Sequence, residues 1–271
     1  MVSGIPLSNV TPVFKRCVFM SLNQHLWRII EPLWDDAWEV SPLSESETHL
    51  TNKVLRLEVG ETIEVTNLKG YVWKAKIVKQ SKTTCFVEKL DTQLWQQAGP
   101  HLCAMIGTPK PAACEEVVQL LSEMGIPEIF FFEAELQKTK QVFKLEKLVK
   151  IALESARIHK VPFGTQIHSP KSLEECLRQN FDVLLVCDEF ASWKTPWPEF
   201  PKQNGLKIGF VVGPESSLSE GEKEFLQQKR AQFVSLGAHI LRVPLASVKV
   251  ASKLLLTDSF VKQGLGKNNG I

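Results

Sequence analysis

From about residue 100 onward, short continuous apolar runs alternate with amphipathic stretches of helical period, and no other feature constrains the fold as tightly. HLCAMIG, IPEIFFF, FDVLLVCDEF, KIGFVVGPE and HILRVP read as strands. Helices are expected from about Ala113 to Met124, over LEKLVKIALESARIH, over Ser172–Gln179 and from Glu220 to about Lys229, with Leu245–Leu256 closing the chain. Gly125 supplies the left-handed residue that commonly ends a helix, and Ser219-x-x-Glu222 fits a capping box that satisfies helix N-terminal amides from both ends. Strands that are apolar throughout must be covered on both faces. This half is therefore predicted to be a mainly parallel sheet between layers of helices.

Before residue 100 the texture differs. Residues 46–98 read as short strands, with alternation at Thr62–Thr66, Tyr71–Val78 and Thr84–Glu88 and turn signals at Val59-Gly60-Glu61 and Asn67–Gly70. Several short strands at regular spacing suggest a small barrel. Residues 1–45 hold Trp27, Trp34 and Trp38 around Pro32, too apolar for a free tail, and are expected to pack on the barrel. The predicted organisation is thus a β-barrel domain with an N-terminal extension over 1–98 and an α/β domain over 99–271, its tail frayed from about 258.

Composition excludes some classes of function. At 44% hydrophobic and 23% charged residues the chain reads as globular. No run approaches the roughly 18 apolar residues of a membrane span. The apolar patch Cys17–Met20 after Lys15-Arg16 is broken at once by Ser21, Asn23 and Gln24, so it does not read as a signal peptide and a cytoplasmic protein is expected. Cys17, Cys85, Cys103, Cys114, Cys176 and Cys187 are scattered without a C-x-x-C pair, so reduced structural thiols and no metal site are expected. A net charge of +2 does not by itself point to nucleic acid; a local patch has to.

Two segments near the C-terminus are specific. IGFVVGPESSLSEGEKEFL runs from an apolar strand through Gly213-Pro214-Glu215 into a helix start, and LGAHILRVPLASVKVASKLL leads through Arg242 into the final helix. HLTNKVLRLEVGETIEV, VVQLLSEMGIPEI and IALESA precede them in order. Together these resemble the motifs of the RsmE-type uridine-N3 methyltransferases of small-subunit (16S) ribosomal RNA, in the SPOUT superfamily, over roughly residues 46–257. The resemblance implies a PUA-like RNA-binding barrel followed by a SPOUT α/β domain with a trefoil knot. It also implies S-adenosylmethionine as cofactor, a homodimer joined through the knot and final helix, and ribosomal RNA of the small subunit as partner. The cofactor loops would follow Leu185–Cys187, Val212–Ser217 and Leu236–Arg242, which makes Val186, Gly213, Glu215, Leu236, Gly237, Ile240, Leu241 and Arg242 the cofactor-binding candidates.

The chain departs from the family pattern at several points. Ser216-Ser217 replace two glycines, Val243-Pro244-Leu245-Ala246 replaces Thr-Glu-Thr-Ala, FEAELQ stands where Glu-Arg-Ser is usual, and Arg157-Ile158-His159-Lys160 stands near the family's Glu-Gln-Ser-x-Arg. A non-glycine residue held in a left-handed conformation costs roughly 1–2 kcal/mol, enough to weaken cofactor binding about tenfold. Two functions therefore stay open at this point: an active methyltransferase, or a catalytically silent SPOUT protein that binds RNA or assembling ribosomes.

Among individual residues, Arg242 is the catalytic candidate, because methylation at uracil N3 develops negative charge that a fixed guanidinium stabilises; an ordinary strand-end arginine is the bland reading. His49, Lys53 and Arg56 are candidates for RNA contact. Lys74 and Lys76 project to one side of a strand and, with Lys69, Lys79 and Lys82, would form a phosphate-binding stripe or simply a solvated face. Tyr71 and Trp73 are either base-stacking residues or core. His239 and His49 read as structural or surface histidines before catalytic ones.

Overall fold

A computed structural model describes residues 26–97, 99–137, 141–192, 197–198, 200 and 205–256. The N-terminal patch with Cys17, and the tail from about 258, lie outside the described residues.

The first sheet contains β1 (Arg28–Ile30), β2 (Val40–Pro42), β3 (Thr62–Thr66), β4 (Tyr71–Gln80) and β5 (Cys85–Leu94) in the order β1-β3-β4-β5-β2. β1 runs parallel to β3 and the other pairs are antiparallel. Alternation decides the faces: Trp73, Ala75 and Ile77 are fully buried while Lys74 and Lys76 between them are exposed. Trp73 is therefore core and not a stacking platform, its indole N–H donating to Asp36 Oδ1 at 2.8 Å. Trp34 and Trp38 meet at 4.5 Å between centroids and close over Trp73, so the tryptophan-rich segment packs on the sheet as expected.

One expectation fails here. The strand texture predicted from residue 46 begins later, because Glu45–His49 forms α1 and Leu50–Val54 continues it as a π-helical turn. The helix is fixed by its buried face. It aligns Glu47 with Thr51, whose hydroxyl donates to the Glu47 carbonyl at 2.7 Å, and aims the Glu47 carboxylate across to the second domain.

That second domain holds β6 (His101–Gly107), α2 (Pro111–Glu123), β7 (Glu128–Phe132), α3 (Leu145–Ile158), β8 (Gln166–Lys171), α4 (Leu173–Cys176), β9 (Val183–Cys187), β10 (Lys207–Val212), α5 (Glu220–Gln228), β11 (Gln232–Val234) and α6 (Val243–Leu255). The sheet order is β11-β9-β10-β6-β7-β8, and every pairing is parallel. One face buries Ile106, Ile129, Phe131 and Phe210 with Leu121, Leu148 and Val250, which come from α2, α3 and α6. The opposite face buries Met105, Phe132, Val186 and Val211 with Leu173 and Leu226 of α4 and α5. Each such side chain contributes roughly 1.5–3 kcal/mol when fully buried.

Two predicted elements shift. HILRVP is not the last strand: His239–Arg242 is loop, with Ile240 84% exposed, and β11 is the earlier edge strand QFV. The helix expected over Ser172–Gln179 is only Leu173–Cys176, held by a capping box between Ser172 and Glu175. β8, which was not predicted, is a largely polar edge strand with Pro170 in it; an edge is where a residue lacking an N–H can join a sheet.

The two domains are tied by buried charge. Arg157 grips the Glu47 carboxylate with two parallel bonds, 2.7 and 2.8 Å, and also donates to the Arg28 carbonyl. Arg28 donates in turn to the Val161 carbonyl and pairs with Glu64, which also meets Lys160 at 3.1 Å. Two of the residues that depart from the family pattern, Arg157 and Lys160, thus serve the domain interface.

Candidate active site at the carboxyl edge of the parallel sheet

Because β9, β10 and β11 are parallel, their carboxyl ends lie on one edge, and the three loops that follow them converge there. Crevices at this edge are where open α/β sheets bind ligands. The loops enclose a cavity of about 330 Å³, at the small end of the range for ligand pockets. Its apolar lining includes Val212, Leu218, Leu236, Leu241 and Ala246.

Backbone approach is managed by glycine at the critical points. A Cβ on Gly107, at the end of β6, would lie 2.6 Å from the Pro214 nitrogen, so the Gly213-Pro214-Glu215 turn seats directly on that strand end. Gly237 has φ +122°, a conformation closed to other residues at low cost, and Ser235 Oγ accepts its N–H. Ser217 also sits at positive φ, 63°, whereas Ser216 does not. The strain expected of both serines is thus confined to one of them. There it is partly offset, since Ser217 Oγ donates to Glu189 at 2.7 Å and its N–H reaches the Pro214 carbonyl.

Charge around the cavity is mixed. Asp188, Glu189 and Glu215 face it with Lys223, His239 and Arg242. A hydrogen bond to Glu220, with Asp188 and Glu189 nearby, holds the Lys223 ammonium above its ordinary range. Burial pushes the Cys187 thiol up to about 12, so it stays protonated and is no nucleophile. The five described cysteines are free.

The loop after β7 is fastened to the same edge. Glu135 accepts from Ser219 Oγ at 2.5 Å, and its own N–H donates to Glu222, the carboxylate that completes the predicted capping box with Ser219. FEAELQ, which stands in place of the family's polar triplet, thereby braces the start of α5.

Of the cofactor candidates, Gly213, Glu215, Leu236, Gly237, Ile240, Leu241 and Arg242 all line the cavity. Val186 does not: it is fully buried within β9, and the next residue, Cys187, reaches the cavity instead, because successive strand residues point to opposite faces. Arg242 is not the desolvated guanidinium expected. Its side chain is 76% exposed and it pairs with Glu116 of α2 at 3.3 Å from the N-cap position of α6. Asp188, Glu189, Lys223 and Gly107 escaped the sequence reading; the first two directly follow a strand whose loop was already suspected, which was the available signal.

His49, Lys53 and Arg56 are exposed, and a hydrogen bond from Asn52 to the Ser81 carbonyl sets their helical turn against the β4–β5 hairpin. Lys74 and Lys76 share an outer face, but Asp91 and Glu64 stand opposite the first and Glu88 opposite the second, so the face is not a uniformly basic stripe.

The chain matches the family model described as an RNA methyltransferase domain over residues 97–255, and that described as an RNA methyltransferase PUA domain over residues 49–90. It is 28% identical over 241 residues to the ribosomal RNA small subunit methyltransferase E of Bacillus subtilis, covering 81% of this chain and 91% of that one. The Aquifex aeolicus protein of the same name is 24% identical, with 75% and 89% covered. The Neisseria gonorrhoeae enzyme of that name, solved with S-adenosyl methionine, superposes with a TM-score of 0.74 at 18% identity, covering 85% and 97%. A Legionella pneumophila protein solved with the same cofactor gives 0.74 at 21% identity, with 86% and 98% covered. The first sheet is accordingly a PUA-like domain and the second a SPOUT-type α/β domain, and the chain belongs to the RsmE-type RNA methyltransferase family.

Proposed function

We propose that the protein methylates N3 of a uridine in small-subunit ribosomal RNA, using S-adenosylmethionine held in the cavity at the carboxyl edge of β9, β10 and β11. The observation that carries this reading is that seven of the eight cofactor candidates, spread over two loops, line one cavity. The residues present suit the cofactor. Val212, Leu218, Leu236, Leu241 and Ala246 offer an apolar bed for a purine, and Gly213 and Gly237 let backbone amides approach its edges. The carboxylates of Asp188 and Glu189 complement a sulfonium and an ammonium group. The bound cofactor supplies an electrophilic methyl group.

The protein's part is to place uracil N3 in line with that methyl and to stabilise the anion left when the N3 proton passes to solvent. Arg242, at the cavity mouth, releases Glu116 to do so; the exposed 3.3 Å pair is weak enough to exchange. RNA is held by the PUA-like domain, with His49, Lys53 and Arg56 as the contact set and Lys74 and Lys76 as peripheral charge. A cytoplasmic location accords with this substrate, and no described helix is long and apolar enough to cross a membrane.

A homodimer is also proposed, on a smaller surface than the sequence suggested. Ala246, Ala251 and Leu254 of α6 are buried in the chain's own core and unavailable to a partner. Leu245, Leu255 and Leu256 remain exposed on or beside α6, and Ile240 beside the cavity. Light scattering at micromolar concentration tests this: a dimer is expected, and a monomer rules out any shared site.

For the reaction itself, small-subunit RNA from a strain lacking its own uridine-N3 methyltransferase is incubated with the protein and the cofactor. Methylation at N3 blocks the Watson–Crick edge, so reverse transcription stops at the modified base. A stop that requires cofactor and disappears with Arg242→Ala is expected. No stop on any small-subunit RNA favours the silent RNA-binding reading.

A further inference from the structure

At the opposite edge of the second sheet, far from the cofactor cavity, the strands bring together a group of side chains that the proposed methyl transfer does not use. His101 and Cys103 are two residues apart on β6 and so share a face. Cys103 is in register with Glu128 of β7, and His168 of β8 is in register with Phe130, two residues beyond Glu128. All four therefore point to the face that carries Met105 and Phe132. His101 Nε2 lies 2.6 Å from Glu128 Oε1, and Cys103 Sγ lies 3.9 Å from the same oxygen. One donor atom from each of these three residues falls within 4.8 Å of the others. His168 Nε2 is 3.3 Å from Glu128 Oε2 but out of line for a hydrogen bond, and is otherwise buried without a partner.

We infer that His101, Cys103 and Glu128 form a binding site for a zinc-class divalent cation, with His168 or a water molecule as the fourth ligand. Imidazole, thiolate and carboxylate together are a borderline-soft donor set that suits zinc over magnesium or calcium. Zinc bonds of about 2.0–2.3 Å place tetrahedral donors about 3.3–3.8 Å apart, so the atoms already lie within a few tenths of an ångström to an ångström of their places. The ion takes the place of the hydrogen between His101 Nε2 and Glu128 Oε1, which passes to Nδ1 or to solvent, and the Cys103 thiol proton leaves to solvent. Lys207, in register with His101, bonds Gln179 at 2.6 Å and lies over the Phe181 ring, but its ammonium still acts on Cys103 and Glu128, so an ion here binds beside one like charge. A bound ion would pin β6 to β7 at their amino-terminal ends. Residue order carries no sign of such a site, since the donors come from two or three strands without metal-ligand spacing, and a bound ion runs against the expectation of a metal-free protein.

The test is titration of chelator-treated full-length protein with cobalt(II), the spectroscopic stand-in for zinc. The expected result is tetrahedral ligand-field bands and a thiolate-to-cobalt charge-transfer band that saturate at one ion per chain and are abolished by excess zinc. Cys103→Ser removes the charge-transfer band. His101→Ala, at a partly exposed strand end where folding tolerates truncation, weakens binding at least tenfold. Zinc raises the Tm of the wild type by several degrees and leaves that of His101→Ala unchanged. Absence of the bands, with no change in Tm, shows the group to be hydrogen-bonded side chains only. Bands that persist in both variants place the ion elsewhere. Either result overturns the inference.

Discussion

Ser217 allows backbone strain in the loop after β10 to be measured against a single side-chain bond. Its left-handed φ of 63° costs roughly 1–2 kcal/mol, and its hydroxyl bond to the exposed Glu189 carboxylate returns about 1 kcal/mol. Ser217→Ala keeps the strain and loses the bond, so it is expected to destabilise by about 1 kcal/mol. Ser217→Gly loses the same bond and about 0.5–1 kcal/mol of chain entropy but relieves the strain, so it comes out near wild type. The glycine variant should therefore exceed the alanine variant by about 1 kcal/mol, a Tm difference of about 2–4 °C for a domain of this size. Ser216→Gly, with no strain to relieve, should show only the entropic loss. Differential scanning calorimetry of the three variants reads these differences directly. An alanine variant as stable as the glycine variant would mean that residue 217 is not held left-handed, and the reasoning would fail.

Other variants test other parts of the molecule. Arg157→Ala leaves the Glu47 carboxylate, 8% exposed, without its cation; the expected loss is about 3–5 kcal/mol and a fall in Tm of roughly 6 °C or more by calorimetry. Lys53→Ala with Arg56→Ala should weaken RNA binding and flatten its salt dependence by about 0.7–0.9 for each phosphate no longer neutralised; filter binding across a salt series that leaves the slope unchanged would place the RNA elsewhere. Burial, reinforced by Glu215 and Glu115, pushes the Cys114 thiol up from an ordinary 9.0 to about 12, and burial alone does the same for Cys187. The folded state keeps these protons where the unfolded chain releases them, so the stability they contribute is intact below pH 9 and is lost as pH rises from 9 through 12. Urea unfolding between about pH 8 and 11 should show that decline, shallower in Cys114→Ala.

Much of this architecture could be read from residue order alone, and the exceptions share a physical cause. Strands buried on both faces, such as HLCAMIG and KIGFVV, announce themselves because every position must be apolar. Edge strands carry no such demand: QIHSPK and QFV are half exposed and look like loop, while the apolar HILR segment imitates a strand although Ile240 points to solvent. In the site, Gly213-Pro214-Glu215 was legible because a turn that seats on a neighbouring strand restricts its residue types. The environment of Arg242 was not, since its partner Glu116 lies on a helix 126 residues earlier. The Arg157–Glu47 tie spans 110 residues and was equally invisible, although the departure of Arg157 from the family pattern had marked the position.

Methyl transfer by this chain requires that the loops after β9, β10 and β11 form a competent cofactor site despite Ser216 and Ser217. Isothermal titration of the purified protein with S-adenosylmethionine tests that claim most directly. A saturable heat with one site per chain is predicted, and it is lost when Gly237→Val fills the turn beside the cavity. No heat of binding for the wild type at cofactor concentrations up to the millimolar range would contradict the claim and leave the cavity without the ligand assigned to it.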